Sequence, residues 1–294
     1  MPTFTRDSSD VARGRVLTGR TPRPRSQTAS RARGAPIGGR AVVSGRVPTM
    51  ASPLHTELEG PVDAPPLVCL HGGIGTGRYH WSRQVPSLAE HYRVHLPDLP
   101  GHGHSPFPAR AEYGAGFLAD AVEGYLERIG PPVHVAGFSM GGHAALHVAA
   151  RRPELFASLA LVGVATAHHP GLDEWRARFD PDRLATEWPA WARALARLHA
   201  PLGDEAWREV LDRDSSGVTH AEVDLDALEK LAAPLLLVRG DRDPVVPVQQ
   251  YAELRTRSPF SEELVVNYGG HDVQLTRAEI VRPALRDFLD RSAG

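Results

Sequence analysis

From about residue 60 onward, short continuous apolar runs alternate with longer stretches in which apolar positions recur every three or four residues. Leu67-Val68-Cys69-Leu70 lies between Pro66 and a glycine cluster, as a buried strand does. Arg93 to Leu99, Val133 to Phe138, Leu159 to Val164, Leu235 to Val238 and Leu264 to Val266 repeat the pattern. Between them the spacing predicts helices over roughly 80–90, 112–129, 140–152, 248–257 and 277–291. Strands that are apolar on both faces, alternating with helices, imply an α/β fold with a mostly parallel sheet covered on both sides. Further upstream, Ala41-Val42-Val43 and Val47-Pro48 are candidates for a first edge strand.

Two segments break the alternation. Residues 167–230 are rich in Arg, Ala, Asp and Glu and hold four of the five tryptophans, Trp175, Trp188, Trp191 and Trp207. They read as several short helices forming a lid between two core strands. The indole rings either pack this lid on the core or line a pocket beneath it, and one ring can do both. Residues 1–50 are Arg-, Pro- and Ser-rich with ten Arg against two Asp, leaving −10 of the net charge of −2 to the remainder. Such composition buries too little apolar surface to offset its ordering entropy, so a disordered tail is expected. An organellar transit peptide, a polyanion-binding arm and a true start at Met50 are the alternatives. The expected domains are therefore the tail 1–50, a core of 51–166 and 231–294, and the cap 167–230.

Composition narrows the function. The 294 residues are 41% hydrophobic, enough for a core. No run approaches the roughly 18–20 apolar residues of a bilayer span, so a cytoplasmic protein is expected. Near-neutral charge argues against a dedicated nucleic-acid binder. The single cysteine, Cys69, excludes an internal disulfide framework and a multi-thiolate metal site.

Chemistry concentrates at Gly137-Phe138-Ser139-Met140-Gly141-Gly142, between the strand Val133–Phe138 and an Ala-rich helix. A serine at such a junction occupies a tight turn, its hydroxyl beside a helix N-terminus that favours developing negative charge. It needs a base and an orienting acid. Gly240-Asp241-Arg242-Asp243 follows the strand Leu235–Val238, and Gly269-Gly270-His271 follows Leu264–Val266. Both lie at carboxyl ends of strands, where open α/β sheets place their crevice. Ser139, Asp243 and His271 are the expected triad, with Asp241 the rival carboxylate or a turn cap. The glycine-rich His71-Gly72-Gly73-Ile74 can turn an N–H toward an oxyanion, with Gly73 favoured over Ile74 and Met140 the partner donor; His71 reads as a structural loop residue. Phe138, Trp175, Trp188 and Trp191 are the candidate substrate-binding rings.

Together with Asp98-Leu99-Pro100-Gly101-His102-Gly103-His104-Ser105, these motifs resemble the α/β-hydrolase superfamily over about residues 53–292. The resemblance implies a helical cap inserted after the sixth strand and no cofactor. Ser139-Met140-Gly141-Gly142-His143 is similar to carboxylesterases and to meta-cleavage C–C hydrolases. The expected partner is a small-molecule ester, thioester or lactone with a hydrophobic acyl group, attacked by Ser139. C–C hydrolysis and a ligand-binding regulator that keeps the triad are the other readings. His102 and His104 suggest metal ligation, but no matching carboxylate–histidine cluster accompanies them in the sequence, so no metal is expected there.

Overall fold

A computed structural model describes residues 53–216 and 221–293. The segments proposed as a tail and as an upstream edge strand, residues 1–50, lie outside the described residues. Seven strands form one sheet in the order β1-β3-β2-β4-β5-β6-β7: β1 Thr56–Glu59, β2 Pro66–Leu70, β3 Arg93–Pro97, β4 Val133–Phe138, β5 Phe156–Val162, β6 Leu235–Gly240 and β7 Ser261–Val266. All neighbours pair in parallel except β1 with β3.

The continuous apolar strands follow from this layering. Val133, Val135, Leu159, Leu161, Leu235 and Leu237 face one core, where they meet helices α3 (Ala115–Ile129), α4 (Ser139–Arg151) and α9 (Val248–Arg257). Leu67, Cys69, Ala136, Phe138, Ala160, Val162, Leu236 and Val238 face the other. There they pack against α1 (Gly77–Trp81), α2 (Val85–Leu88) and α11 (Ala278–Ser292), which the short α10 (Val273–Thr276) precedes. A strand buried on both faces leaves no polar side for an alternation to mark.

Differences from the expected elements have local causes. The helix expected over 80–90 is two short ones, with Pro86 in the first turn of the second. The strand expected to reach Val164 ends at Val162, because Gly163 turns with φ 60°. The edge strand beside β3 is Thr-Glu-Leu-Glu, whose single apolar residue gave no signal. Its Glu57 and Glu59 bond Arg78 at 2.8 and 2.6 Å, charges that also discourage pairing of this edge with another chain.

Four helices, α5 (Pro170–Arg176), α6 (Pro181–Glu187), α7 (Pro189–His199) and α8 (Ala206–Ser215), lie between β5 and β6. They follow the fifth described strand rather than the sixth, since only β1 precedes β2 among the described residues. Phe179, Leu184, Ala192, Leu195, Trp207 and Leu211 form their own small core and enclose Ile74 of the loop after β2. No described helix is long and apolar enough to cross a membrane.

Candidate active site

Parallel strands bring their carboxyl ends to one rim. There β2 delivers the His71–Ile74 loop, β4 delivers Ser139, β6 delivers Asp243 and β7 delivers His271. Ser139 sits at φ 46°, one of two described non-glycine residues with positive φ. For a residue with a side chain this costs on the order of 1–3 kcal/mol, held in place by close packing around it. A Cβ added to Gly137 would fall 2.4 Å from Gly142 Cα, so the turn closes only with glycine on both sides.

The three side chains meet. His271 Nε2 lies 3.0 Å from Ser139 Oγ, while its Nδ1 lies 3.0 and 3.1 Å from the two carboxylate oxygens of Asp243. The Asp243 side chain is fully buried and also accepts the Val245 N–H at 2.8 Å. Asp241 accepts the Gly269 N–H at 3.2 Å, the turn-capping alternative. Burial disfavours a charged His271, but the charge and hydrogen bond of Asp243 outweigh it, with Asp272 and Asp214 adding to the pull. The result is an imidazole pKa above its usual 6.5.

The loop after β2 is held by four imidazoles. His80 Nδ1 accepts the Gly72 N–H, and His71 Nδ1–H donates to Gly72 O at 2.8 Å. His102 Nε2–H donates to Gly73 O at 2.5 Å, and His199 Nε2 faces Ile74 O at 3.4 Å. His71 and His199 also accept the N–H of Leu99 and Gly103. Acceptor roles require neutral rings. Burial, reinforced by the neighbouring imidazoles, lowers His71 and His80 well below 6.5 and His199 to about 4. With its carbonyls pinned, the loop leaves the Gly73 N–H without an acceptor among the described residues, as is that of Met140.

The aromatic candidates divide. Phe138 is 2% exposed and its ring backs His271, centroids 5.0 Å apart, so it lies behind the imidazole instead of lining open space. Trp175 stands edge-on to His271 at 5.7 Å, touches Phe179 at 5.4 Å, and Phe179 meets Trp191 at 5.9 Å. Trp188 packs against the same helical cluster.

Two residues gave no local signal. Asp214, on α8, lies against the Gly73 backbone: a Cβ added there would fall 2.0 Å from its Oδ1. Burial raises its carboxyl above the ordinary range, against the opposing influence of His102, Arg176 and His271. Arg176, at the end of α5, is 7% exposed, and its Nη2 has no hydrogen-bond partner among the described residues. Each sits in a charged, helical stretch where solvent exposure is the ordinary expectation, and only folding turns them inward.

A family model described as the α/β hydrolase fold matches residues 65–216. The chain belongs to that family. A second model, described as TAP-like protein, matches residues 209–293. A pimeloyl-acyl-carrier-protein methyl ester esterase of Vibrio campbellii is 28% identical over 81% of this chain and 99% of its own. A protein of Pantoea ananatis named "Putative carbamate hydrolase RutD" is 30% identical over 77% of this chain and 89% of its own. Among solved structures, a 2-hydroxy-6-oxo-6-phenylhexa-2,4-dienoate hydrolase from Rhodococcus superposes with a TM-score of 0.67 at 23% identity. It covers 81% of this chain and 94% of that one, and at this identity the likeness speaks for the fold alone.

Proposed function

We propose that the chain is a serine hydrolase that cleaves an ester, thioester or lactone of a hydrophobic acyl group through an acyl-enzyme on Ser139. The observation that carries this reading is the unbroken contact Ser139 Oγ to His271 Nε2 and His271 Nδ1 to Asp243. In the proposed cycle His271 takes the Ser139 proton as Oγ attacks the carbonyl carbon, then returns it to the leaving oxygen or sulfur. Water, activated by the same imidazole, releases the acid. Asp243 fixes the Nδ1–H tautomer and stabilises the transient imidazolium. The N–H groups of Gly73 and Met140 receive the oxyanion, each on the order of 3 kcal/mol of transition-state stabilisation. Helices α5 to α8 act as the cap, with Trp175, Phe179 and Trp191 offering an apolar wall; Trp188 supports that wall from the cap core.

Support for a hydrolase of ester-type substrates comes from the esterase relative and from family membership. A second reading, carbamate hydrolysis, draws on Asp214: its carboxylate beside Gly73 gives an N–H next to the scissile carbonyl an acceptor.

The deciding experiment is turnover of p-nitrophenyl esters graded by acyl length, together with a fluorophosphonate probe, on the wild type and Ser139→Ala. Probe labelling and multiple turnovers in the wild type are expected, with kcat lowered at least roughly 10³-fold in the variant and the fold intact. A single burst without further release identifies a ligand-binding regulator; near-normal turnover by Ser139→Ala refutes the assignment.

A further inference from the structure

The loop after β3 carries two histidines that the proposed chemistry uses unequally. His102 turns inward to Gly73 O, whereas His104 turns outward over Asp98. A third residue, His55, arrives from the segment before β1 and closes on the same carboxylate. The expectation that no carboxylate–histidine cluster exists here is corrected by the fold, since His55 is 43 residues from Asp98 along the chain. We infer that His55, Asp98 and His104 form a binding site for one divalent transition-metal ion of the zinc class, separate from the Ser139 centre.

Two of the three donor–donor edges match those of a tetrahedral site lacking its fourth ligand. Asp98 Oδ2 lies 3.2 Å from His55 Nδ1 and 3.5 Å from His104 Nδ1, and the three donor atoms all lie within 4.8 Å of one another. With zinc–nitrogen and zinc–oxygen bonds of about 2.0–2.1 Å, the edge of a ligand tetrahedron is about 3.3 Å. The two observed edges straddle that value. The imidazoles stack with centroids 4.3 Å apart and planes at 30°, and each has its Nδ1 near Asp98 Oδ2. Two imidazoles and one carboxylate suit zinc and its neighbours over magnesium or calcium, which take mostly oxygen ligands.

The site is built before any ion arrives. The Asp98 N–H donates to His55 O at 2.8 Å, the His55 N–H to Ser105 Oγ at 3.0 Å, and the Ser105 hydroxyl to Asp98 O at 2.6 Å. Asp98 is steadied further by the N–H of His104 on Oδ2 and of Gly77 on Oδ1. Gly103, at φ 55°, lets the chain close over it: an added Cβ would fall 2.2 Å from Asp98 Oδ2. The carboxylate side chain is 7% exposed while those of His55 and His104 are 39% and 53% exposed, so the buried ligand is fixed and the ion has an open path and room for water. Outer-shell hydrogen bonds of this kind orient ligating groups. An ion here would fasten the segment before β1 to the loop carrying His102, and so bear on the loop after β2.

The test uses the full chain, ZnCl₂ titrated calorimetrically, and CoCl₂ followed by visible absorption. One saturable equivalent of Zn²⁺, a Co²⁺ spectrum with the intensity of a four-coordinate centre, and a rise in Tm with the metal are expected. His55→Ala and His104→Ala should each weaken the binding at least tenfold. The double variant should abolish the one-to-one phase while its metal-free ester turnover stays at the wild-type level, which also shows that it folds. His271→Ala, tested for binding alone, should keep the phase. Absence of a saturable equivalent in the wild type, its persistence in the double variant, or its loss only in His271→Ala overturns the inference.

Discussion

Replacing Gly137 by Ala tests the claim that the position of Ser139 is set by main chain packed against main chain. The new Cβ would lie 2.4 Å from Gly142 Cα, 2.8 Å from Gly142 N and 3.2 Å from the Gly141 carbonyl carbon. Carbon atoms in contact sit about 3.5–4.0 Å apart, so β4 and α4 must separate by at least ~1 Å. No side chain can swing away to relieve this. The cost belongs near the top of the roughly 1–3 kcal/mol range of overpacking, a large part of the ~5–15 kcal/mol that holds a typical domain together. The separation falls on the turn that carries Ser139, whose Oγ must stay 3.0 Å from His271 Nε2. A displacement of ~1 Å at a reacting group costs on the order of 10²-fold in rate. Gly124→Ala is the matched control. It lies within α3 with only Arg128 Nη1 at 3.7 Å, an ordinary contact, so the helix gains about 0.5–1 kcal/mol from lost glycine freedom. Urea unfolding by circular dichroism and kcat on an activated ester read both effects. A Gly137→Ala protein with wild-type midpoint and kcat, or one destabilised with kcat unchanged, would refute the reasoning.

Three further expectations rest on the same geometry. Asp243→Asn should lower kcat by on the order of 10⁴-fold through the wrong His271 tautomer, whereas Asp241→Asn loses one turn hydrogen bond, about 1 kcal/mol of stability; the reverse ranking would identify Asp241 as the orienting acid. Because His271 must be neutral to act as the proposed base and its pKa is raised above 6.5, kcat/KM should fall on acidification through a pH above 6.5, and Asp214→Asn should move that limb to lower pH. A limb at or below 6.5 that ignores Asp214 contradicts this. His143 and His199 are buried neutral, with pKa values lowered by burial to about 3 and about 4. The unfolded chain therefore takes up their protons first, near 6.5, and stability declines as pH falls from there toward the folded values. At about 1.4 kcal/mol per unit, each withdraws on the order of 3 kcal/mol by about pH 4. Urea midpoints that stay flat over this interval would show that these rings protonate without strain.

Much of this protein was legible in one dimension because its constraints are local. A strand covered on both faces must be apolar throughout, which marked β2, β4, β5 and β6 within a few residues. A serine on a strained turn needs glycines where neighbouring backbone allows no Cβ, which marked Ser139, the proposed nucleophile, and strand ends followed by Asp243 and His271 placed the other two side chains on one rim. Tertiary structure decided the rest. Nothing in Thr56–Glu59 announces a strand, because an edge is held by partner hydrogen bonds and not by buried side chains. Nothing in α8 or α7 announces that Asp214 presses on Gly73 or that His199 faces Ile74 O, because both depend on how the inserted helices dock. His55 joins Asp98 and His104 only when β1 runs antiparallel beside β3, a pairing whose register no spacing in the sequence encodes. Periodicity reports what each segment buries; which distant side chains share that space is fixed by the packing of one segment on another.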